Sequence, residues 1–195
     1  RLRITGNDLN DFALSWAINS HNSNLPDYTE NIEMNHDRYG SMAQRLPVNG
    51  IYFQRMDAKL AMADASYQWI DIDPFGSPVP FIDSAIQSLA RTGVLEVTAT
   101  DTAALTGSSL SSQKRRYGAQ GIVDDYAHDD AVRVLLGMIA KTAAMHDRII
   151  KPILSLFDGH HVRVSVLIKT SKEAASNFQE QLGLSLIHIS EPTRP

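Results

Sequence analysis

The sequence predicts an α/β fold built on a parallel sheet, and three observations support this prediction. A strand-like run at 69–72, an amphipathic stretch at 79–92 and a second strand-like run at 94–100 follow one another. This strand–helix–strand order implies two parallel strands. Each strand-like run ends in a turn that contains an acidic residue. The chain has 195 residues and 43% apolar content, enough for one domain with a proper core.

The composition excludes several kinds of site. The chain has no cysteine, which excludes disulfides, thiolate zinc sites and a cysteine nucleophile. No apolar run reaches the length of a membrane span, and the N-terminus does not read as a signal peptide. We therefore expect a cytoplasmic protein with no membrane partner, and no metal site is evident. The net charge is −4, so contact with RNA would need a local basic patch.

The first element is a short strand at 2–5, which breaks at the turn Gly6–Asp8. Asn7 or Asp8 is placed to cap a helix with apolar spacing at 11–21. Rossmann-like folds hold a ribose hydroxyl with an acidic residue at the end of a second parallel strand. Asp8 is our candidate for that role, and a plain helix cap is the alternative.

A polar excursion at 22–49 follows, with a short helix expected around 39–45. The next strand, 51–56, ends just before Asp57, and 58–65 reads as a short helix rich in Ala, Leu and Met. Asp57 is thus another acidic residue at a strand end. It fits a hydrogen bond to an adenine amine, and a helix cap is again the alternative.

The most distinctive stretch is 69–78, which reads Trp-Ile-Asp-Ile-Asp-Pro-Phe-Gly-Ser-Pro. Its strand ends at Asp73, which offers a hydrogen-bond acceptor. Pro74 has no N–H and fixes its own φ, which stiffens the neighbouring carbonyls. Phe75 offers a flat apolar face. Together they suit a planar base with an exocyclic amine, although an ordinary turn whose Asp caps the next helix remains the alternative.

Two helices and three strands are predicted after this turn. The amphipathic helix at 79–92 is expected to end at Gly93, before the strand at 94–100. The strongest helix is predicted at 129–145. An Asp-Gly turn then joins strands at 149–157 and 162–169, which predicts a C-terminal antiparallel hairpin.

The polar region 108–126 has no clear period but contains the densest basic cluster of the chain. Lys114, Arg115 and Arg116 are placed to hold phosphates, and Tyr117 to stack on a base. A solvated loop is the alternative for such a charge run.

Two of these motifs resemble the tRNA guanine-N2 dimethyltransferases, which act at guanine 26 of tRNA. They are Asp-Ile-Asp-Pro-Phe-Gly-Ser-Pro at 71–78 and Val-Thr-Ala-Thr-Asp-Thr-Ala at 97–103. Shorter stretches at 6–10, 56–58 and 126–137 also resemble that family. The resemblance covers about residues 4 to 169 and is nearly continuous from 71 to 107.

The resemblance implies a Rossmann-like class I methyltransferase sheet with helices on both faces, S-adenosylmethionine as cofactor and tRNA as partner. Asp8 would hold the cofactor's ribose, and Asp57 with Ala58 its adenine. Asp73, Pro74 and Phe75 would hold the guanine amine. The family's first strand and glycine-rich loop are missing. In family topology that strand lies between the strands ending at Asp8 and Asp73.

The ends of the sequence suggest a fragment. Residues 1–170 are expected to form a partial methyltransferase domain, and 171–183 to begin a following segment. Residues 184–195 look like the translation of an adapter used to prepare sequencing libraries, so we set them aside as non-native. We expect the fragment itself to be unstable, inactive and unable to hold the cofactor tightly.

Two other functions stay open from the residues alone. One is a different exocyclic-amine methyltransferase, acting on DNA adenine or on protein. The other is a non-catalytic RNA-binding Rossmann domain, against which the intact 73–76 motif argues.

Overall fold

The computed structural model describes residues 4–23, 33–36, 42–46 and 51–182. The chain divides into two compact units, unit 1 (Arg1–Ala65) and unit 2 (Ser66–Pro195). Each unit carries one four-stranded sheet with a parallel pair of strands. The predicted α/β class is thereby confirmed.

Unit 1 has the strand order β1-β4-β3-β2, in which β1 is parallel to β4 and the other pairs are antiparallel. Its elements in chain order are β1 (Ile4–Asp8), α1 (Asp11–Ser23), β2 (Glu33–His36), β3 (Met42–Leu46), β4 (Ile51–Arg55) and α2 (Ala58–Ala63).

Unit 1 differs from the sequence prediction in three places. Strand β1 continues through Gly6 to Asp8, where a turn was predicted, because all five of its residues pair with β4. Residues 42–46 form strand β3 and not part of a helix, because they pair with β4 and β2; 39–41 lie outside the described residues. The side chain before α1 that accepts a helix N–H is Asn10, from Phe12 at 2.9 Å, and neither Asn7 nor Asp8.

Unit 2 has the strand order β5-β6-β8-β7. Strands β5 and β6 are parallel, and β8 is antiparallel to both of its neighbours, so the predicted hairpin is confirmed. The elements in chain order are β5 (Tyr67–Ile72), α3 (Val79–Ser88), β6 (Leu89–Ala99), α4 (Thr102–Leu105), α5 (Leu110–Tyr117), α6 (Ala127–Met145), β7 (Arg148–Phe157), β8 (Val162–Thr170), α7 (Lys172–Ser176) and a 3₁₀ turn (Phe178–Gln181).

One face of the unit 2 sheet forms the core. Ile70 and Ile72 of β5 are buried, whereas Trp69 between them is 63% exposed, as alternation along a strand requires. Helices α3 and α6 contact each other and the sheet. Their fully buried side chains include Ile82, Ile86, Leu135 and Ile139.

An arginine ties three strands together outside this core. Arg163 of β8 donates to Asp71 of β5 at 2.8 Å, to Thr98 of β6 at 2.7 Å, and to Glu96 of β6. Its hydrogen bond with Asp71 is the largest of the effects that raise the pKa of the Arg163 guanidinium. The cluster fixes the end of β5 against its neighbours.

Gly93 does not end a helix as predicted. Helix α3 ends at Ser88, and Gly93 lies inside β6. A Cβ at this position would come within 3.0 Å of the Gln68 carbonyl oxygen of β5. Gly93 therefore allows a close approach of two strand backbones.

Candidate functional site

The turn at 73–78 follows β5 and presents two of its side chains to solvent. Asp73 is exposed, and the Phe75 ring is fully exposed. Pro78, at the other end of the turn, is buried. The carboxylate and the ring are therefore accessible to a ligand, while the turn is anchored where it enters α3.

Backbone and side-chain hydrogen bonds fix the middle of this turn to the end of β6. Gly76 has a φ of +81°, which favours glycine. Its N–H donates to Thr100 Oγ1 at 2.6 Å, and the Thr100 N–H donates to the Gly76 carbonyl at 3.0 Å. Because β5 and β6 are parallel, the turn lies at the carboxyl edge of the sheet, where open α/β sheets bind ligands.

A buried polar network anchors the same turn to α5. The Ser77 Oγ lies 3.1 Å from the Tyr117 hydroxyl, and that hydroxyl donates to Asp101 Oδ1 at 2.7 Å. Asp101 Oδ2 accepts from Arg116 at 3.0 Å, and the Asp101 side chain is only 9% exposed. Burial is the main reason why the pKa of the Tyr117 hydroxyl is raised above its ordinary value of 10.0. Sequence reasoning assigned no role to Asp101.

The basic cluster lies on a helix, whereas the alternative considered from the sequence was a solvated loop. Lys114, Arg115 and Arg116 occupy the last turn of α5 and are exposed. Tyr117 differs from them, because its residue is only 6% exposed. Its ring would have to leave this packing to stack on a base.

In unit 1, two acidic residues lie at the ends of neighbouring parallel strands. Asp8 is the last residue of β1 and pairs in register with Arg55 of β4, two residues before Asp57. Asp8 is exposed, and its Oδ1 accepts the Asn10 N–H at 2.8 Å. Asp57 caps α2 by accepting the Lys59 N–H at 2.9 Å. Asp57 therefore does act as a helix cap, which leaves its proposed contact with an adenine untested.

These strand ends suit a nucleoside that carries hydroxyl and amine donors. The exposed Asp8 carboxylate fits ribose hydroxyls, and Ala58 begins α2 directly after Asp57. Asn7 joins the two strand ends, because its Nδ2 donates to the Met56 carbonyl at 3.0 Å. Its Oδ1 is buried without a hydrogen-bond partner among the described residues.

His128 and the acidic residues were also considered as possible ligands or bases. His128, at the start of α6, stacks on Phe157 with ring centroids 4.3 Å apart. Among the described residues, no group of three His, Cys, Asp or Glu side chains could hold a metal ion. Within the same part of the chain, no helix has the length and apolar character needed to cross a membrane.

Comparison with known proteins identifies a family. The family model described as "N2,N2-dimethylguanosine tRNA methyltransferase" matches residues 3–191. This match reaches into the segment 184–195 that we set aside as non-native, and the origin of that segment remains a prediction.

Relatives with assigned names agree with the family match. The tRNA (guanine(26)-N(2))-dimethyltransferase of Thermoplasma volcanium is 43% identical over 118 residues, which cover 60% of this chain and 34% of the relative. The enzyme of the same name from Metallosphaera sedula is 40% identical over 144 residues, which cover 73% of this chain and 38% of the relative.

A solved structure is also similar. Trm1 from Pyrococcus horikoshii, in complex with S-adenosyl-L-methionine, matches with a TM-score of 0.78 and 29% identity. The match covers 91% of this chain and 47% of that one. The chain thus spans between a third and a half of the length of these relatives.

Proposed function

The chain belongs to the N2,N2-dimethylguanosine tRNA methyltransferase family, and from this premise we propose that the protein carrying it methylates the N2 amine of guanine 26 in tRNA. The methyl donor is S-adenosylmethionine, and the setting is the cytoplasm. The observation that carries the proposal is the turn at 73–78. It exposes an acceptor and an aromatic ring at the carboxyl end of the parallel strands β5 and β6 and is anchored through both Gly76 and Ser77.

We assign the cofactor to the strand ends of unit 1. Asp8 accepts from the ribose hydroxyls, while Asp57 and the N-terminal residue of α2, Ala58, contact the adenine. When bound, S-adenosylmethionine supplies an electrophilic methyl group on a sulfonium.

We assign the target base to the turn in unit 2. A guanine amine is a poor nucleophile because its lone pair is delocalised into the ring. The Asp73 carboxylate and the Pro74 carbonyl accept its N–H bonds and orient the lone pair for attack, which lowers the entropic part of the barrier. Phe75 stacks on the flipped base, a contact worth about 1–3 kcal/mol.

Asp73 need not act as a strong base in this scheme. As the bond between the amine nitrogen and the methyl carbon forms, the bond between that carbon and the cofactor's sulfur would break. The sulfur would leave as a neutral thioether, and the nitrogen would become cationic, so that its proton becomes acidic. That proton leaves to Asp73 or to water. The role of Asp73 is therefore to accept a hydrogen bond and to place the nitrogen, which an exposed carboxylate can do.

The test uses a full-length protein that carries this chain, labelled cofactor and unmodified tRNA. Asp73→Asn should lower kcat about 100-fold or more, because it removes the carboxylate charge and replaces one of the two acceptor oxygens by an NH2 donor, which weakens and misplaces the bond to the guanine amine. Asp125→Asn, at an exposed position in the loop before α6, is the matched control and should keep wild-type activity. A tRNA with adenine at position 26 should accept no methyl group. Methylation of DNA or protein in place of tRNA, or full activity of Asp73→Asn, would contradict the proposal.

A further inference from the structure

We propose that Tyr117, anchored on the carboxylate of Asp101, is a positioning residue that holds the Asp73–Phe75 segment ready for its base. The inference deepens the proposed function and rests on it. It gives Tyr117 a role different from base stacking, which the sequence analysis expected of this residue.

The network reaches the segment through two consecutive residues. Ser77, two positions after Phe75, is bonded to the Tyr117 hydroxyl at 3.1 Å. Gly76, one position after Phe75, is bonded in both directions to Thr100, the residue before Asp101. The turn is thus held at adjacent positions by two independent groups.

Asp101 fixes the orientation of the Tyr117 hydroxyl. Its side chain is 9% exposed, and both oxygens are used, one by Tyr117 and the other by Arg116. A buried carboxylate with two donors is held rigidly, because losing either bond would leave charge unpaired. The tyrosine proton therefore points to Asp101, which leaves the hydroxyl oxygen to accept from Ser77.

The same tyrosine links the turn to the exposed cations of α5. Tyr117 follows Arg116 directly and ends the helix before Gly118, which adopts a left-handed conformation. Lys114, Arg115 and Arg116 lie on the same helix. One short helix therefore carries both the anchor of the turn and the cluster proposed to meet tRNA phosphates. This connection fixes the distance between a bound backbone and the base-holding segment.

The experiment compares Tyr117→Phe and Ser77→Ala, alone and together, in a full-length protein that carries this chain. Tyr117→Phe keeps the buried ring and removes only the hydroxyl. We expect kcat to fall about tenfold, with the KM for tRNA and for cofactor within about twofold of wild type. Ser77→Ala should do the same, and the double variant should lose no more than either single one, because both changes break the same bond between Ser77 and Tyr117.

A second measurement does not depend on activity. Hydrogen exchange at the amides of Phe75, Gly76 and Ser77 should accelerate about five- to tenfold in Tyr117→Phe. Tyr126→Phe is the matched control, since its ring is 52% exposed, and both kcat and exchange should stay at wild-type values. If the wild type fails to methylate guanine 26, the proposed function is wrong, and the exchange result alone decides the positioning role.

Three results would overturn the inference. One is wild-type kcat and wild-type exchange in Tyr117→Phe. Another is an increased KM for tRNA at unchanged kcat, which would make Tyr117 a direct RNA contact. The third is a pair of losses that add in the double variant, which would mean that Tyr117 and Ser77 act separately.

Discussion

Gly76 and Thr100 are joined by two hydrogen bonds, one in each direction, across the carboxyl edge of the unit 2 sheet. The Gly76 N–H donates to Thr100 Oγ1 at 2.6 Å, and the Thr100 N–H donates to the Gly76 carbonyl at 3.0 Å. The reciprocal pair converts a short connection after β5 into a part of the sheet edge. The exposed Asp73 carboxylate and Phe75 ring lie just before Gly76, so these two hydrogen bonds also restrict their movement.

Thr100→Val should weaken the link between Gly76 and β6 while keeping nearly the same side-chain shape. The change removes the Oγ1 acceptor and leaves the part-buried Gly76 N–H unsatisfied, which costs about 1–3 kcal/mol. We expect urea unfolding of the chain, followed by circular dichroism, to shift to a lower midpoint. Thr100→Ser retains the oxygen and should keep most of the wild-type stability; a wild-type midpoint in Thr100→Val would show that the bond between Gly76 and Thr100 Oγ1 does not stabilise the fold.

Gly76→Ala tests the turn through its backbone. Gly76 has a φ of +81°, and a Cβ there would meet no atom within 4 Å, so the change adds strain without a clash. Strain of this kind costs about 1–2 kcal/mol. Methyl transfer by the full-length protein should fall as well, because the segment before Gly76 shifts.

Gly159→Ala is its matched control. Gly159 lies in the β7–β8 hairpin with a φ of +94°, and a Cβ would again meet nothing within 4 Å. Both variants should lose similar stability, whereas only Gly76→Ala should lose activity. Equal activity in the two variants would show that the conformation of Gly76 does not matter for catalysis.

The sequence predicted those parts of the fold that have a local signal. The Asp-Gly turn of the C-terminal hairpin and the parallel strands β5 and β6 are confirmed, because apolar alternation and turn residues lie within a few positions of each other. Strand β3 was missed because its sequence, Met-Ala-Gln-Arg-Leu, consists of residues that favour helices, and it forms a strand through pairing with β4. The helix end predicted at Gly93 was wrong, because glycine occurs both at the ends of helices and at positions where two backbones approach closely.

Helix α5 and its network were not predictable in the same way. Its buried side chains are Gln113 and Tyr117, so the helix has no apolar stripe that would show a period of 3.6. Gln113 bonds the Leu105 carbonyl at 3.0 Å and the Gly121 N–H at 2.6 Å. The Asp101–Tyr117 bond spans sixteen residues and exists only once α4 and α5 are packed. The exposed Asp73 and Phe75, by contrast, were identified from the strand-ending motif.

The exposed cations of α5 should contribute to tRNA affinity. Affinity for tRNA falls as salt rises, and the slope of the logarithm of the binding constant against the logarithm of the salt concentration measures this. Replacing Lys114 and Arg115 together by Gln should make the slope less steep by about 0.7–0.9 for each phosphate contact that is lost. Arg116 is left in place because it is paired with Asp101. Filter binding of tRNA by the full-length protein over a range of salt concentrations measures the slope. Lys141→Gln with Lys172→Gln, at exposed positions on α6 and α7, should leave it unchanged.

Tyr117 should make the folded chain sensitive to alkali. Burial raises the pKa of its hydroxyl above the ordinary value of 10.0, so above about pH 10 the unfolded chain loses this proton while the folded chain keeps it. Stability is then fully present below pH 10 and falls above it, by up to about 1.4 kcal/mol per pH unit for one proton. Urea unfolding at several pH values between 8 and 11 measures this.

The comparison of wild type with Tyr117→Phe isolates this proton, because lysines and the other tyrosines titrate equally in both proteins. The difference in unfolding free energy should be constant below about pH 10 and shrink above it, since phenylalanine has no proton to lose. Tyr126→Phe, whose ring is 52% exposed, should follow the wild-type curve. If the wild-type and Tyr117→Phe curves ran parallel up to pH 11, the hydroxyl would ionise as easily in the folded chain as in water. In that case the hydroxyl would not be buried in solution as it is in the structure.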